Sequence, residues 1–335
     1  MRSDVLLQND KVIPAWVQPV VLLDLCHARG VPLPKLLHNT ALFLGDLPFR
    51  GAQLSLSHYR QLLSNANRLW PGEDFPFQLG HQLANSGLGP LAELLSRCER
   101  IDEQLNTLCR FAFLLNPALR LQVYRPNSQS AMVLCHAAGQ LCLSDTERLV
   151  AMTTLRQLLS QHPATDEISC YLSAPRRHAI EHYHSHLSAD CHFQAPWDGL
   201  RLSLSISAAP ETSSSLRFRV VEAECDQLVN GRRYLIDALH RYLHQHPDAS
   251  DLPDAAAYLG TSISTLKRRL REHACTYQEV LDSARREQAL VELLLNDASV
   301  DAISERLHFH DSSNFRRAFK RWTGTTPSLL KSAFQ

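Results

Sequence analysis

Two stretches late in the chain repeat one arrangement of apolar and polar positions. In the first, Leu259 closes a short apolar pattern, Gly260-Thr261-Ser262 forms a polar turn, and Leu266 and Leu270 then recur at four-residue spacing. In the second, Leu307 closes, His308 to Asp311 turns, and Phe315 and Phe319 recur at the same spacing. Lys and Arg fill the positions between: Lys267-Arg268-Arg269 in one copy, Arg316-Arg317 in the other. A helix so patterned packs one side and offers cationic groups on the other, as a major-groove reader must. Residues 276–296 lie between the copies and contain neither Gly nor Pro; Thr276 with Glu279 is a capping-box pattern and Asn296-Asp297 suits a helix end. A helix of about twenty residues spans roughly 30 Å, against roughly 34 Å for one turn of B-DNA. The pattern therefore predicts two recognition helices set into successive major grooves on one face of a duplex.

The first two hundred residues alternate differently. Helical spacing is predicted over residues 16–26, 33–38, 57–69 (with Ser57 as N-cap), 77–83 and 145–160, and over one long helix at 90–115 in which Leu91, Leu94, Leu95, Cys98, Ile101, Leu105 and Leu108 share a face. Residues 119–124 and 130–136 predict strands joined by a Pro126-Asn127-Ser128 turn; 168–172, 191–193 and 200–204 predict further strands, and 178–187 a helix. The expected organisation is an α+β domain over residues 1–207, a polar, Pro-containing linker over 208–230, and an all-α domain over 231–335 with two helix-turn-helix motifs joined by a long helix.

Specific residues in the later domain resemble a known signature. They are Ala256-Ala257, Leu259, Ser262, Leu266, Arg268-Arg269-Leu270, Tyr277, Leu281, Arg285 and Ala289, then Ile303, Leu307, Phe309, Asp311, Ser313, Phe315, Arg317-Ala318-Phe319-Lys320-Arg321-Trp322-Thr323-Gly324 and Thr326-Pro327. On these the chain is similar to the AraC/XylS transcription regulators. Three positions depart from that pattern: Ala274 and His308 stand where Gly is usual, and Ser304 where a small Ala packs. Glycine there supplies a positive φ, which His tolerates better than Ala, so the turn near Ala274 is expected to be built differently. Pro90-Leu91-Ala92-Glu93-Leu94-Leu95, the run Cys191-His192-Phe193-Gln194-Ala195-Pro196 and the 200–204 strand resemble, more loosely, the arabinose-binding-like effector domain of a branch that includes ornithine-responsive and virulence-linked regulators. The resemblance implies a small-molecule effector, a homodimer, and activation through RNA polymerase at a promoter or operator.

Composition alone would not have pointed to nucleic acid. Lys plus Arg equals Asp plus Glu at 34 each, for a net charge of +0. The basicity is local, in the runs 267–271 and 316–321, and local clustering is what a phosphate or a base edge meets. Nine cysteines are scattered without a Cys-x-x-Cys pair, the first residues carry no apolar signal segment, and no run is apolar enough to span a bilayer. The expectation is a cytoplasmic protein with reduced thiols.

Within the two recognition helices, Ser264, Lys267, Arg268, Ser312, Ser313, Arg316 and Arg317 are the candidates for base edges. Arg271, Lys320 and Arg321 lie later on their helices and are the candidates for phosphate. Leu259, Leu266, Leu270, Leu307, Phe309, Phe315, Phe319 and Trp322 are expected scaffold. Lys11, Lys35, Arg120, Arg176 and Arg177 are the cations available to an acidic effector, and the residues lining an effector pocket cannot be named from the pattern. The runner-up reading is a metal- or redox-responsive binding protein built on His178, His182, His184, His186, Cys191 and His192, with DNA binding secondary. No acidic or Cys partner one turn away completes that set, so neither metal nor cofactor is expected. No nucleophile-elbow, phosphate-loop or dinucleotide pattern is present, so an enzyme is not expected.

Overall fold

The computed structural model describes residues 4–47, 49–205, 215–248 and 251–334. The Ser-rich stretch at 206–214, the heart of the expected linker, lies outside the described residues. In chain order, short strands β1 (Val5–Leu6) and β2 (Ile13–Pro14) precede helices α1 (Gln18–Ala28) and α2 (Leu33–Leu36). After β3 (Gln53–Leu54) come α3 (Leu56–Leu69), α4 (Phe75–Ser86), α5 (Pro90–Ser96), α6 (Ile101–Arg110) and α7 (Ala112–Leu115). The hairpin β4 (Leu119–Asn127) and β5 (Ser130–Ala137) is followed by α8 (Asp145–Leu159), β6 (Thr165–Leu172), α9 (Ile180–His186), β7 (Cys191–Phe193) and β8 (Asp198–Leu204). Then come α10 (Leu216–Val229), β9 (Arg233–Tyr234), α11 (Leu235–Gln245), α12 (Leu252–Tyr258), α13 (Ile263–Glu272), α14 (Tyr277–Leu294), α15 (Val300–Arg306), α16 (Ser312–Thr323) and α17 (Pro327–Phe334).

The chain divides into two compact units. One comprises residues 8–138 and 142–231. Its sheet has the order β4-β5-β8-β6-β7, antiparallel except for the parallel β6–β7 pair. Leu121, Val133, Leu200, Leu202 and Cys170 from the strands meet Leu105, Leu108, Met152 and Leu155 from the helices in one core. Gly80 lets α4 approach α8: a Cβ there would stand 2.6 Å from Thr153 Cβ, and Thr154 Oγ1 donates to Gly80 O at 3.1 Å. Arg148 on α8 is buried because Asp198 and Asp145 accept from it at 2.8 and 2.6 Å, which offsets its desolvation.

Three expectations need correction in this unit. The predicted helix over 90–115 is α5, α6 and α7, with the chain turning at Arg97–Arg100. The turn lets Leu94 and Leu105 both reach the core, and Asp102 and Glu103 sit in the first turn of α6, where the helix dipole favours acids. The N-cap of α3 is Ser55, whose hydroxyl accepts from His58 N at 3.3 Å, rather than Ser57. The expected linker 208–230 is helical from Leu216. Its helix α10 buries Val221 and Cys225 and pairs Arg217 with Glu93 at 2.7 Å and Asp226 with Arg110 at 2.7 Å.

The other unit comprises residues 4–7, 139–141 and 232–334. Residues 4–7 were expected in the first domain. They belong here because β1 pairs in parallel with β9, Val5 opposite Arg233, and Val5 is buried in a cluster with Leu235, Leu239, Leu266 and Leu270. Its remaining elements are the helices α11 to α17. Among the described residues, no helix is long and apolar enough to cross a membrane.

Candidate DNA-binding site

Helices α12 to α16 each begin on a side-chain cap. Asp251 accepts from Asp254 N at 3.0 Å, Ser262 from Thr265 N at 3.2 Å, Ser299 from Ala302 N at 3.2 Å and Asp311 from Asn314 N at 2.6 Å, satisfying donors that have no partner within the helix. The Asn314 N–H also holds the Asp311 carboxyl below the usual range. At the start of α14 the predicted box is complete: Thr276 N donates to Glu279 Oε2 at 2.7 Å and Glu279 N to Thr276 Oγ1 at 3.3 Å.

Three helix ends share one closure. After α12, Gly260 N bonds Ala257 O and Thr261 N bonds Ala256 O, both at 3.0 Å. After α13, Ala274 N bonds Arg271 O and Cys275 N bonds Leu270 O, both at 3.0 Å; after α15, His308 N bonds Glu305 O at 3.0 Å and Phe309 N bonds Ser304 O at 2.9 Å. This is the Schellman pattern, which needs a left-handed residue. Gly260, Ala274 and His308 supply it, at φ +62°, +53° and +53°. The turn at Ala274 is thus built in the usual way, with the cost carried by Ala itself, and the expectation of a different construction is not met.

On α13, Leu266 and Leu270 are buried, while Ser264, Lys267, Arg268 and Arg271 are exposed. Arg268 reaches Glu272 at 2.6 Å and Arg269 reaches the same carboxylate at 3.0 Å. Those contacts, Arg269 foremost, lower the Glu272 pKa. On α16, Phe315 and Phe319 are fully buried, while Ser313, Arg316, Arg317, Lys320 and Arg321 are exposed. Phe309 packs edge-on to Phe315 at 5.6 Å and to Trp322 at 5.9 Å, so the expected scaffold is assembled.

Two candidates are differently placed from the rest. Ser312 is half-buried and its hydroxyl donates to Asp301. Arg321 donates to Asp282 at 2.9 Å and so ties α16 to α14. Sequence reasoning also missed Arg285, whose guanidinium lies 5.3 Å over Phe309 and whose pKa burial lowers. Its helical position was legible; its aromatic partner, on another helix, was not.

Residues 255–333 match a helix-turn-helix domain. Residues 30–210, more than half of the chain, match the arabinose-binding domain of AraC transcription regulators. The chain belongs to the AraC family of transcription regulators. It is similar to the ornithine utilization regulator of Pseudomonas aeruginosa, 27% identical over 320 residues that span 93% of this chain and 94% of that one. It also resembles the regulator VqsM of the same organism, 37% identical over 94 residues, 28% of this chain and 29% of that one. An uncharacterized HTH-type transcriptional regulator of Mycobacterium tuberculosis is 26% identical over 328 residues, 92% of this chain and 93% of that one. The AraC-type chain is a DNA-binding transcriptional regulator with an N-terminal effector-binding domain, and its relatives are regulators rather than enzymes.

In that N-terminal domain four histidines of the runner-up reading, His178, His182, His186 and His192, pack against aromatic rings. His182 and His186 stack on Phe77 with ring centroids 5.9 and 5.1 Å away, His178 meets it edge-on at 5.7 Å, and His186 Nδ1 lies 3.1 Å from His81 Nε2. Burial lowers the pKa of His81, His178 and His186. Cys191 points its thiol at Ser188 O at 3.0 Å, and His192 stacks on Tyr171 at 4.7 Å. Among the described residues no three metal-ligating atoms of this segment come together, and the metal- or redox-responsive reading is unsupported. Of the cations considered for an acidic effector, Arg177 pairs with Asp145 at 2.8 Å.

Proposed function

We propose that this AraC-type regulator reads two successive major grooves, with α13 and α16 as recognition helices and α14 as the rod between them. Base edges meet Ser264, Lys267 and Arg268 from α13, and Ser313, Arg316 and Arg317 from α16, with Ser312 at the margin. Arg271 and Lys320 hold phosphate, and Arg321 does so once it leaves Asp282. The effector-bound N-terminal domain switches a homodimer that activates transcription through RNA polymerase. The observation that carries the reading is the repeated division of faces: cations opposite Leu266 and Leu270 on α13, and again opposite Phe315 and Phe319 on α16. The 18 residues of α14 give a rod of roughly 27 Å, close to the helical repeat of DNA.

Selection from a genomic fragment library with full-length protein at near-physiological salt tests this. The expected outcome is a two-part motif with its halves about one helical turn apart. Retention without sequence preference, with and without added metabolites, would overturn it. Because a relative's name refers to ornithine, ornithine and related amino acids are the first effectors to add.

A further inference from the structure

Helix α11 carries His240 and His244 one turn apart, and α14 carries Glu287. His240 Nδ1 lies 3.3 Å from Glu287 Oε2, and His244 Nε2 lies 3.9 Å from the same oxygen. The three donor atoms are all within 4.8 Å of one another. The side chains are 5%, 25% and 14% exposed for His240, His244 and Glu287, so the cluster is largely closed and its opening is on the His244 side.

A simple ion pair between Glu287 and a protonated His240 would account for the first contact. It does not account for the second imidazole, aimed at the same carboxylate oxygen from beyond hydrogen-bond distance. His244 Nε2 is buried and has no hydrogen-bond partner among the described residues. Donor atoms about 2.0–2.1 Å from a tetrahedral zinc ion stand about 3.4 Å apart, so the His240–Glu287 edge already fits. The two remaining edges, 3.9 Å from His244 to Glu287 and no more than 4.8 Å from His244 to His240, close by movement of the His244 ring. Two imidazole nitrogens and one carboxylate oxygen are a ligand set that zinc and neighbouring transition ions accept, with a fourth position left for water.

We propose that His240, His244 and Glu287 bind a divalent transition-metal ion, and that the ion clamps α11 to α14 within the DNA-binding unit. The site is independent of the histidines around Phe77 and of the reading of α13 and α16.

The test uses full-length protein purified without a polyhistidine tag and stripped with chelator. Zinc is titrated calorimetrically into wild type, His244→Ala and, as a control elsewhere, His182→Ala. The expected result is one tight equivalent in wild type and in H182A, weakened by about tenfold or more in H244A, with a zinc-dependent rise in melting temperature that H244A lacks. Cobalt added to stripped wild type should give the visible absorption of a four-coordinate ion, and H244A should not. If H244A does not fold, Glu287→Gln replaces it, and the cobalt spectrum of wild type decides. Identical zinc uptake by wild type and a folded ligand variant, or a wild-type cobalt spectrum equal to that of the hydrated ion, would overturn the proposal.

Discussion

At the residue scale, Arg268 and Lys320 are both exposed cations on a proposed recognition helix, yet their replacement should read out differently. Arg268→Ala should cost about 1–3 kcal/mol at the preferred site and relax one base position, whereas Lys320→Ala should weaken all sequences alike and reduce the salt slope by about 1. Parallel binding titrations on matched and altered sites separate the two, and an unchanged preference in R268A removes it from the readers. Ala274 makes a different prediction. An alanine at φ +53° carries the left-handed penalty, so Ala274→Gly should raise stability by about 0.5–1 kcal/mol in urea titrations. The substitution was visible in the sequence, and so was its cost, but the way the turn meets it was not. Nothing local in the sequence separates an alanine that takes the left-handed angle from one that forces a rebuilt turn. The faces of α13 and α16 were legible because Leu266/Leu270 and Phe315/Phe319 set the helical phase. Ser312 and Arg321 were not, because their partners Asp301 and Asp282 sit on other helices.

Caps are local and several are readable in the sequence, although at α3 the cap is Ser55 rather than the expected Ser57. The Thr276–Glu279 pattern coincides with the start of α14, and Thr276→Ala should cost about 1 kcal/mol through the lost cap, seen as a lower unfolding midpoint. The break between α5 and α6 was not legible, since Leu91, Leu94, Cys98, Ile101 and Leu105 continue one helical phase straight through it. The stacked histidines of α9 against Phe77 of α4 make a pH-dependent seam. His81, His178 and His186 are held below the usual 6.5 by burial. Just below that pH the unfolded chain therefore binds more protons than the folded one. The stability they contribute is complete above 6.5 and is lost as pH falls through it toward the depressed folded values. Melting temperatures at about pH 7.5 and about pH 5.5 should differ in that direction, and His186→Gln should shrink the difference. An equal slope in that variant would assign the loss to other groups.

Over the whole molecule the net charge is +0, so DNA affinity falls to cations that are locally clustered. If only Arg271, Lys320 and Arg321 neutralise phosphate, log K against log salt should fall with a slope of roughly −3 per chain. A slope near −7 in a monomeric measurement would bring the base-reading cations, or others, onto the backbone. Hydrophobic patterning predicted an α+β part and a helical part, with the helical part beginning at 231 against 232 in the structure, but it misassigned α10 and β1. Residues 208–230 are expected to be a linker, yet α10 lies within that range and buries Val221 and Cys225 in the first unit. Equally illegible was the membership of β1, because a two-residue strand leaves almost no periodicity to read. That strand has a consequence for biosynthesis. Val5 and Leu6 leave the ribosome more than two hundred residues ahead of their partners Arg233 and Tyr234. The DNA-binding unit is therefore not a contiguous stretch of gene. Its strand β1 must wait, unpaired with β9, while more than two hundred residues are translated, and a fusion or deletion at residues 4–7 would act on a DNA-binding unit whose helices are encoded more than two hundred codons downstream.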